Sequence, residues 1–416
     1  MDGFVFPNEA EVQWSLLIVL YPFITGLVAG AFVVSSLYHV FNIKSLKPVA
    51  SFSLLMALSF MLVAPLPLLA HLGRPERGIL IFLTPHFTSA MSGFGYIWLF
   101  YLVLLLTETW LVFRPDIIHY AATIGGLKGL VYRALTLGMP SMSEDDKRFR
   151  ETAIKVLAAV GIPSAALLHG YVGFLFGAIK ANPWWSTPLM PVIFLLSAIV
   201  SGIALLIVMY VVVMRMLRRP IDHACLASLG RWLMAFLVID LAVEGLEILS
   251  MAYESEESWE VVSKLITEKI PVSYFGIQVL LGSLIPLVIL GAVAAQARKG
   301  GASAAVFAAA LLVIVGVFAM RWNVVIGGQM ISKSMRGFTS YVPPLGGREG
   351  VLAATVLLAL PFYIFSTIVS FIPPWQRAVA DEGEAEAEPA EGAPAWEGAD
   401  SRLRRGDWDW EEAVRR

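Results

Sequence analysis

About nine apolar runs, each of roughly 20 residues or more, constrain this chain more than any other feature, because a run of that length crosses a bilayer core of about 30 Å as a helix. They lie near 14–41, 50–71, 92–113, 153–178, 187–216, 227–251, 274–297, 303–326 and 350–372. Across the 416 residues, 58% are hydrophobic and only 15% charged. A water-soluble domain is nearer half apolar and a quarter charged, and one aqueous core cannot hide the excess. The expected fold class is therefore an all-α polytopic membrane protein, multi-pass in the cell membrane, with lipid rather than nucleic acid as its surroundings. The first and fifth runs are long enough to tilt or project into water. Segment 121–140 is less apolar and carries Lys128 and Arg133; it reads as an interfacial helix, with a tenth span as the alternative.

Orientation follows from the basic residues of alternate loops, since Lys and Arg concentrate on the cytoplasmic side. The odd-numbered loops carry Lys44, Lys47, Arg114, Lys128, Arg133, Lys147, Arg148, Arg150, Arg215, Arg218, Arg219, Arg231, Arg298 and Lys299. The even-numbered loops hold fewer, among them Arg74, Arg77, Lys180, Lys264 and Lys269. With nine spans the N-terminus lies outside and the C-terminus in the cytoplasm. The start, MDGFVFPNEAEVQW, has no basic n-region, so the first run is expected to stay as an anchor. Two regions are expected: a membrane domain over 1–375, and a tail over 376–416 whose acidic, Ala/Pro/Gly-rich composition cannot bury enough surface to fold alone. The closing SRLRRGDWDWEEAVRR suits either partner docking or plain solvation.

A single cysteine, Cys225, excludes an iron–sulfur cluster held by this chain, which needs about four thiolates, and any intramolecular disulfide or cysteine-based zinc site. No metal site is expected. Of six histidines, His71 and His169 share a plausible depth for axial haem ligation; His39 lies toward the cytoplasmic end, and His86, His119 and His223 read as loop or interface residues.

Charge inside the spans is the most informative signal, because Asp, Glu or Arg in hydrocarbon costs several kcal/mol and usually lines a polar path or finds a partner. Asp240, Glu244 and Glu247 recur at i, i+4 and i+7, which sets three carboxylates on one helix face. The run MRWNVVIGGQ places Arg321, Asn323 and Gln329 near the outer end of the eighth span, with Arg321 level with Glu244 to Glu247 at 1.5 Å per residue. These residues form either a buried ion pair locking helices together or a proton path. Glu108, near the expected cytoplasmic end of the third span, is expected to snorkel to the interface.

The second signal is HLGRPERG, residues 71–78, closing the second span. An imidazole at the membrane edge can exchange protons with water and with a lipid-soluble substrate, whereas the bland reading is a basic turn anchored at headgroups. At the same end of the first span stand Glu11, Gln13, Trp14, Tyr21 and Thr25. They could hold a flat quinone ring or be ordinary interfacial aromatics.

Three places carry a resemblance to the NrfD/PsrC-like membrane subunits, which include the polysulfide reductase anchor. They are W-x6-Y-x4-G-x3-G at Trp14, Tyr21, Gly26 and Gly30, the LGRPER turn at Leu72 to Arg77, and RWNVVIGGQ at Arg321 to Gln329. The chain looks most like the longer members that accompany hydrogenases or sulfite reductases, over residues 10–375. The resemblance implies two helical bundles without haem or iron–sulfur cluster, and a site near the outer face for menaquinone or ubiquinone. It further implies an iron–sulfur subunit docked on that face, with further catalytic or cytochrome subunits beyond. Carried over by position, the quinone-binding residues are Gln13, Trp14, Tyr21, Thr25, His71 and Arg74, with His71 as the catalytic proton acceptor. The family often has an acidic residue where His71 stands.

The resulting expectation is a quinone-interacting subunit of a respiratory oxidoreductase that exchanges electrons with a docked partner. Asp240, Glu244, Glu247, Arg321, Asn323 and Gln329 would form the proton path or polar core. A secondary transporter, a b-type cytochrome and a purely structural anchor are the competing classes. The transporter would call for inverted repeats and interrupted helices, neither of which is evident.

Overall fold

The computed structural model describes residues 2–86, 88–254, 257–295 and 302–375. The tail over 376–416, expected not to fold alone and to serve either partner docking or plain solvation, lies outside the described residues. The helices are α1 (Leu16–His39), α2 (Lys47–Val63), α3 (Leu66–His71), α4 (Leu80–Leu83), α5 (Ala90–Thr123), α6 (Gly126–Leu135) and α7 (Glu144–Gly177). They continue with α8 (Met190–Met216), α9 (His223–Glu254), α10 (Glu257–Lys264), α11 (Ile285–Ala295), α12 (Ala302–Trp322), α13 (Gly328–Met330) and α14 (Val351–Phe371). Wider π-helical turns cover Leu265–Lys269, Val272–Leu284 and Asn323–Gly327. The strands β1 (Asp2–Phe4) and β2 (Arg336–Phe338) pair antiparallel, Asp2 opposite Phe338 and Phe4 opposite Arg336.

Among the described residues, eight helical stretches are long and apolar enough to cross a membrane. The expected span not among these eight is the sixth, α9, whose 32 residues carry Arg231, Asp240, Glu244 and Glu247. Its start lies with the α1–α2 turn, where the Ser45 hydroxyl donates to Ser228 Oγ at 3.0 Å. α10 then follows it at the face that holds the N-terminus, so α9 runs the depth of the molecule like its neighbours. Segment 121–140 does not supply a tenth span. Its helix α6 has ten residues, about 15 Å, half of what a crossing needs. It lies along the far face, where Tyr132 Oη donates to the Phe371 carbonyl at 2.6 Å and Trp110 Nε1 to the Leu135 carbonyl at 2.8 Å.

α1 is apolar on every side and buried along nearly its whole length, as a helix hydrophobic all round must be. It packs on α2 and α7 on one side and on α8 on the other. At its crossing with α8, Gly30 faces Gly202, and a Cβ on either would overlap the other helix's backbone. α5 and α14 cover α2, while α9, α12 and the Val272–Ala295 helix form a second group that meets the first along α8 and where α12 touches α1, Phe318 on Phe23. The second span is broken between Val63 and Leu66, where Pro65 and Pro67 interrupt the ladder; this sets α3 and His71 apart as a short terminal turn.

Candidate functional site

The start of α1 is built by residues from the far end of the sequence. Gln329 Oε1 accepts from the backbone N–H of Gln13 at 3.1 Å and of Trp14 at 3.0 Å. Tyr341 Oη accepts from Leu16 N at 3.1 Å, and the Ser15 hydroxyl from Leu17 N at 3.4 Å. A helix start leaves its first N–H groups without intrahelical partners; Tyr341 and the N-cap Ser15 supply them for Leu16 and Leu17, while Gln329 holds the two residues that lead into the cap.

The π-helical turn Asn323–Gly327 does similar work for the RWNVVIGGQ run, since its i→i+5 pattern frees carbonyls from the α-helical ladder. The Asn323 carbonyl accepts from Trp184 Nε1 at 3.0 Å and the Val324 carbonyl from Trp185 Nε1 at 2.6 Å. Gly328 lies against the Trp185 indole, where a Cβ would collide with Nε1. Trp185 in turn stacks on Trp14, with centroids 5.1 Å apart and planes 13° from parallel. All three resembling segments thus meet at one face.

His71 sits there at the end of α3. Its Nδ1 lies 3.3 Å from Ser15 Oγ and 3.2 Å from Glu349 Oε2. No protein partner faces its Nε2 among the described residues. Glu349 precedes α14, and its other oxygen is 3.9 Å from Arg348 Nη2. Tyr341 belongs to the same cluster: burial pushes its hydroxyl above the ordinary tyrosine range, and the Glu349 charge adds to the shift. Residues 72–77 of the LGRPER turn, including Arg74 and Arg77, are exposed.

The other residues expected to line a ring pocket are placed differently. Trp14 is held between Trp185 and the edge of Phe176. Tyr21 is buried against Phe94, its ring edge-on at 5.2 Å. The buried Thr25 hydroxyl donates back to the Tyr21 carbonyl at 2.7 Å. Gln13 is exposed and its side chain reaches only the Glu11 carbonyl, at 3.4 Å. Of the six, His71, Gln13 and Arg74 face outward, whereas Trp14, Tyr21 and Thr25 belong to the packing.

The intramembrane charges form a separate centre between α8, α9, α12 and the Val272–Leu284 helix. A chain of hydrogen bonds crosses it. The Ser273 hydroxyl donates to Asn323 Oδ1 at 2.6 Å, Asn323 Nδ2 to Gln278 Oε1 at 2.9 Å, and Gln278 Nε2 to Glu244 Oε2 at 3.0 Å. Asp240, Glu244, Gln278 and Ser197 line one small cavity. Glu244, Glu247, Trp184, Tyr274 and Met251 line a second, of about 440 Å³ with its open mouth, and the two share Glu244, Gln278 and Met320.

Arg321 does not form the direct ion pair expected for it. No carboxylate oxygen among the described residues lies within 4.0 Å of its guanidinium. Nη2 donates instead to Ser197 Oγ at 2.7 Å and the Phe194 carbonyl at 3.3 Å, and the guanidinium lies 4.0 Å over the Phe194 ring. Counting along helices gives depth but not azimuth: Arg321 reaches α8 and passes Gly26 of α1, and although its partner Ser197 lines the same cavity as Asp240 and Glu244, it stops short of direct contact with either carboxylate. A cation–π contact and hydrogen bonds offset its desolvation. Glu108 is also corrected. Because α5 extends to Thr123, this residue lies well inside the helix rather than at its end. It is fully buried, and among the described residues neither carboxyl oxygen has a protein partner.

Sequence reasoning missed Glu349, Tyr341, Ser197 and Gln278. A polar residue inside an apolar run, the signal used for α9, would have found Gln278; nothing local marks Glu349. No group of three or more His, Cys, Asp or Glu among the described residues is placed to hold a metal ion.

The family described as "Polysulphide reductase, NrfD" matches residues 5–333. The chain is 34% identical over 248 residues to a selenate reductase subunit of Mesobacillus selenatarsenatis, covering 58% of this chain and 57% of that one. It is 29% identical over 309 residues to a putative dimethyl sulfoxide reductase membrane subunit of Halobacterium salinarum, with 73% and 66% covered. It thus spans less than two thirds of the length of each of these two. The Hdr-like menaquinol oxidoreductase integral membrane subunit of Archaeoglobus fulgidus is 24% identical over 388 residues, 89% and 87% of the two chains. With a match across most of its length, the chain belongs to the polysulphide reductase NrfD family of integral membrane proteins.

Proposed function

We propose that this chain is the quinol-interacting membrane subunit of a multisubunit oxidoreductase, that His71 is the base at its quinol site, and that electrons leave through an iron–sulfur subunit docked on the same face. That face, which holds the N-terminus, is taken as the outer one. The observation that carries the reading is the His71 imidazole: engaged through Nδ1, without a protein partner at Nε2 among the described residues, and closing the short helix at the end of the second span. A free ring nitrogen is the acceptor that a phenolic O–H requires. The similarity to a menaquinol oxidoreductase subunit and to two further reductase subunits supports the assignment.

A bound quinol would supply two electrons and two protons per oxidation. The chain's own part is to hold the ring oxygen and receive a proton at Nε2. The fit is to His71, with Gln13 and Arg74 at the rim; Tyr21 and Thr25 are excluded by their packing. The exposed Leu72–Arg77 turn is the surface offered to the partner. Which quinone is used, and which substrate is finally reduced, is set by the quinol pool and the partner chains.

The test is quinol-dependent dye reduction by the complex purified from native membranes. His71→Ala lowers turnover on the order of 10²-fold if the imidazole is a general base. Unchanged turnover, or a complex that purifies without any iron–sulfur chain, overturns the proposal.

A further inference from the structure

The loop before the last membrane helix delivers a carboxylate to the side of His71 that cannot face a quinol. Nδ1 has Glu349 Oε2 at 3.2 Å and Ser15 Oγ at 3.3 Å. An N–H at Nδ1 can donate to the carboxylate, and this leaves the lone pair on Nε2. In the other tautomer the N–H would sit on Nε2, and a bare Nδ1 would face a carboxylate oxygen, an acceptor against an acceptor. The carboxylate therefore fixes which nitrogen is basic, as carboxylates behind imidazoles do generally. Glu349 is also partly open to solvent, its side chain 34% exposed against 18% for His71. Its far oxygen lies toward exposed Arg348. It thus bridges a recessed imidazole and water.

From this geometry we infer that Glu349 is the positioning residue and proton exit for His71. It holds the imidazole with Nε2 basic, stabilises the imidazolium that forms, and passes the Nδ1 proton to water at the membrane surface. The inference rests on the quinol reading of His71. In each oxidation two electrons leave to the docked iron–sulfur partner. The proton on the ring oxygen facing Nε2 goes to His71, an Nδ1 proton leaves through Glu349 to water, and once the oxidised ring has left, exchange with water moves the remaining N–H from Nε2 back to Nδ1, where the carboxylate favours it. The proton on the opposite ring oxygen goes directly to water at the mouth. Ser15 ties this arrangement to the start of α1, because the same hydroxyl accepts from Leu17 N. The last loop, α3 and α1 therefore form one unit, although Ser15 and Glu349 stand at opposite ends of the membrane domain.

The test compares Glu349→Gln, Glu349→Asp and His71→Ala in the purified native complex, with a short-chain naphthoquinol as donor and a dye as acceptor. Glu349→Gln keeps the shape but neither stabilises an imidazolium nor carries a proton. The expected result is a fall in kcat of about 10-fold or more with KM changed less than about twofold, a larger solvent deuterium isotope effect, and partial recovery on adding acetate as a mobile proton carrier. Glu349→Asp recovers part of the rate without acetate. Full activity in Glu349→Gln alongside a strong defect in His71→Ala overturns the role of Glu349 and leaves His71 standing. Full activity in both overturns the His71 reading itself. A defect in Glu349→Gln that acetate does not relieve, with an unchanged isotope effect, overturns the proton-exit role in favour of a structural one.

Discussion

Gln329 Oε1 accepts hydrogen bonds from the backbone N–H groups of both Gln13 and Trp14, so the entry of the first membrane helix is fixed by a residue at the end of the Ser303–Met330 span. Its Nε2 makes no hydrogen bond among the described residues, so the amide acts through its oxygen alone. The cap itself is Ser15; Gln329 pins the two residues that lead into it.

Gln329→Leu strands the amides of the two residues that lead into the α1 cap, and a lost hydrogen bond typically costs about 0.5–1.5 kcal/mol. The variant should unfold several degrees lower than wild type in a detergent thermal-shift assay. Gln329→Glu keeps the acceptor and adds a charge favoured at a helix N-terminus, so its transition should stay close to wild type. Equal losses in both variants would show that packing around the side chain, not the accepted bonds, is what matters.

The N-terminal segment is clasped to the loop after α13 by carboxylates, and this should open in acid. The Glu9 carboxylate is pulled both ways: burial would raise it, but hydrogen bonds from the Ser332 hydroxyl, the Lys333 amide and the Lys333 ammonium outweigh burial and hold it below the usual range. Asp2 is lowered by its hydrogen bond and charge contact with Lys269. A carboxylate depressed in the folded state stabilises above its unfolded pKa, and the stabilisation is lost as pH falls through the folded value. Protection of the β1–β2 amides, measured by hydrogen exchange and corrected for intrinsic rates, should therefore hold at neutral pH and decline below about pH 4. Glu9→Gln should weaken protection at neutral pH more than Asp2→Asn, because Asp2 is largely exposed and exposed pairs contribute little. Protection unchanged down to about pH 2, below both carboxylates' ordinary range, would mean that the strand ladder holds the clasp.

What the sequence makes legible here is periodic or costly, and what it hides is relative rotation and long-range return. The spans are visible because hydrocarbon demands about 20 apolar residues in a row, and the polar face of α9 because three carboxylates there cannot be accidental. The HLGRPERG and RWNVVIGGQ runs are recognisable, yet their meeting at the start of α1, through His71 with Ser15 and Gln329 with Gln13 and Trp14, is not, since no local pattern encodes which loops share a face. Arg321 shows the same limit: its depth can be counted, but its turn toward Ser197 and Phe194 is a matter of azimuth. Glu349 lies in an ordinary GGREG loop, and only the return of that loop over α3 gives it a partner.

Glu108 supplies the last prediction, because its burial opposes stability. It is fully buried, and neither oxygen has a protein partner among the described residues. A buried polar group left unsatisfied costs about 1–3 kcal/mol, whereas an apolar side chain of similar size at the same place costs nothing of the kind. Glu108→Leu should therefore raise the thermal transition of the detergent-solubilised chain. Glu108→Gln, which leaves an amide equally stranded, should not. If Glu108→Leu stabilises the protein but abolishes quinol turnover, the carboxyl is retained for work at a cost in stability, and proton transfer through the α1–α5–α7 group becomes the reading to pursue. If it stabilises and turnover is unaffected, the residue is a tolerated defect. A fall in stability would mean that the carboxyl has a partner in the membrane and that its oxygens are not orphaned there.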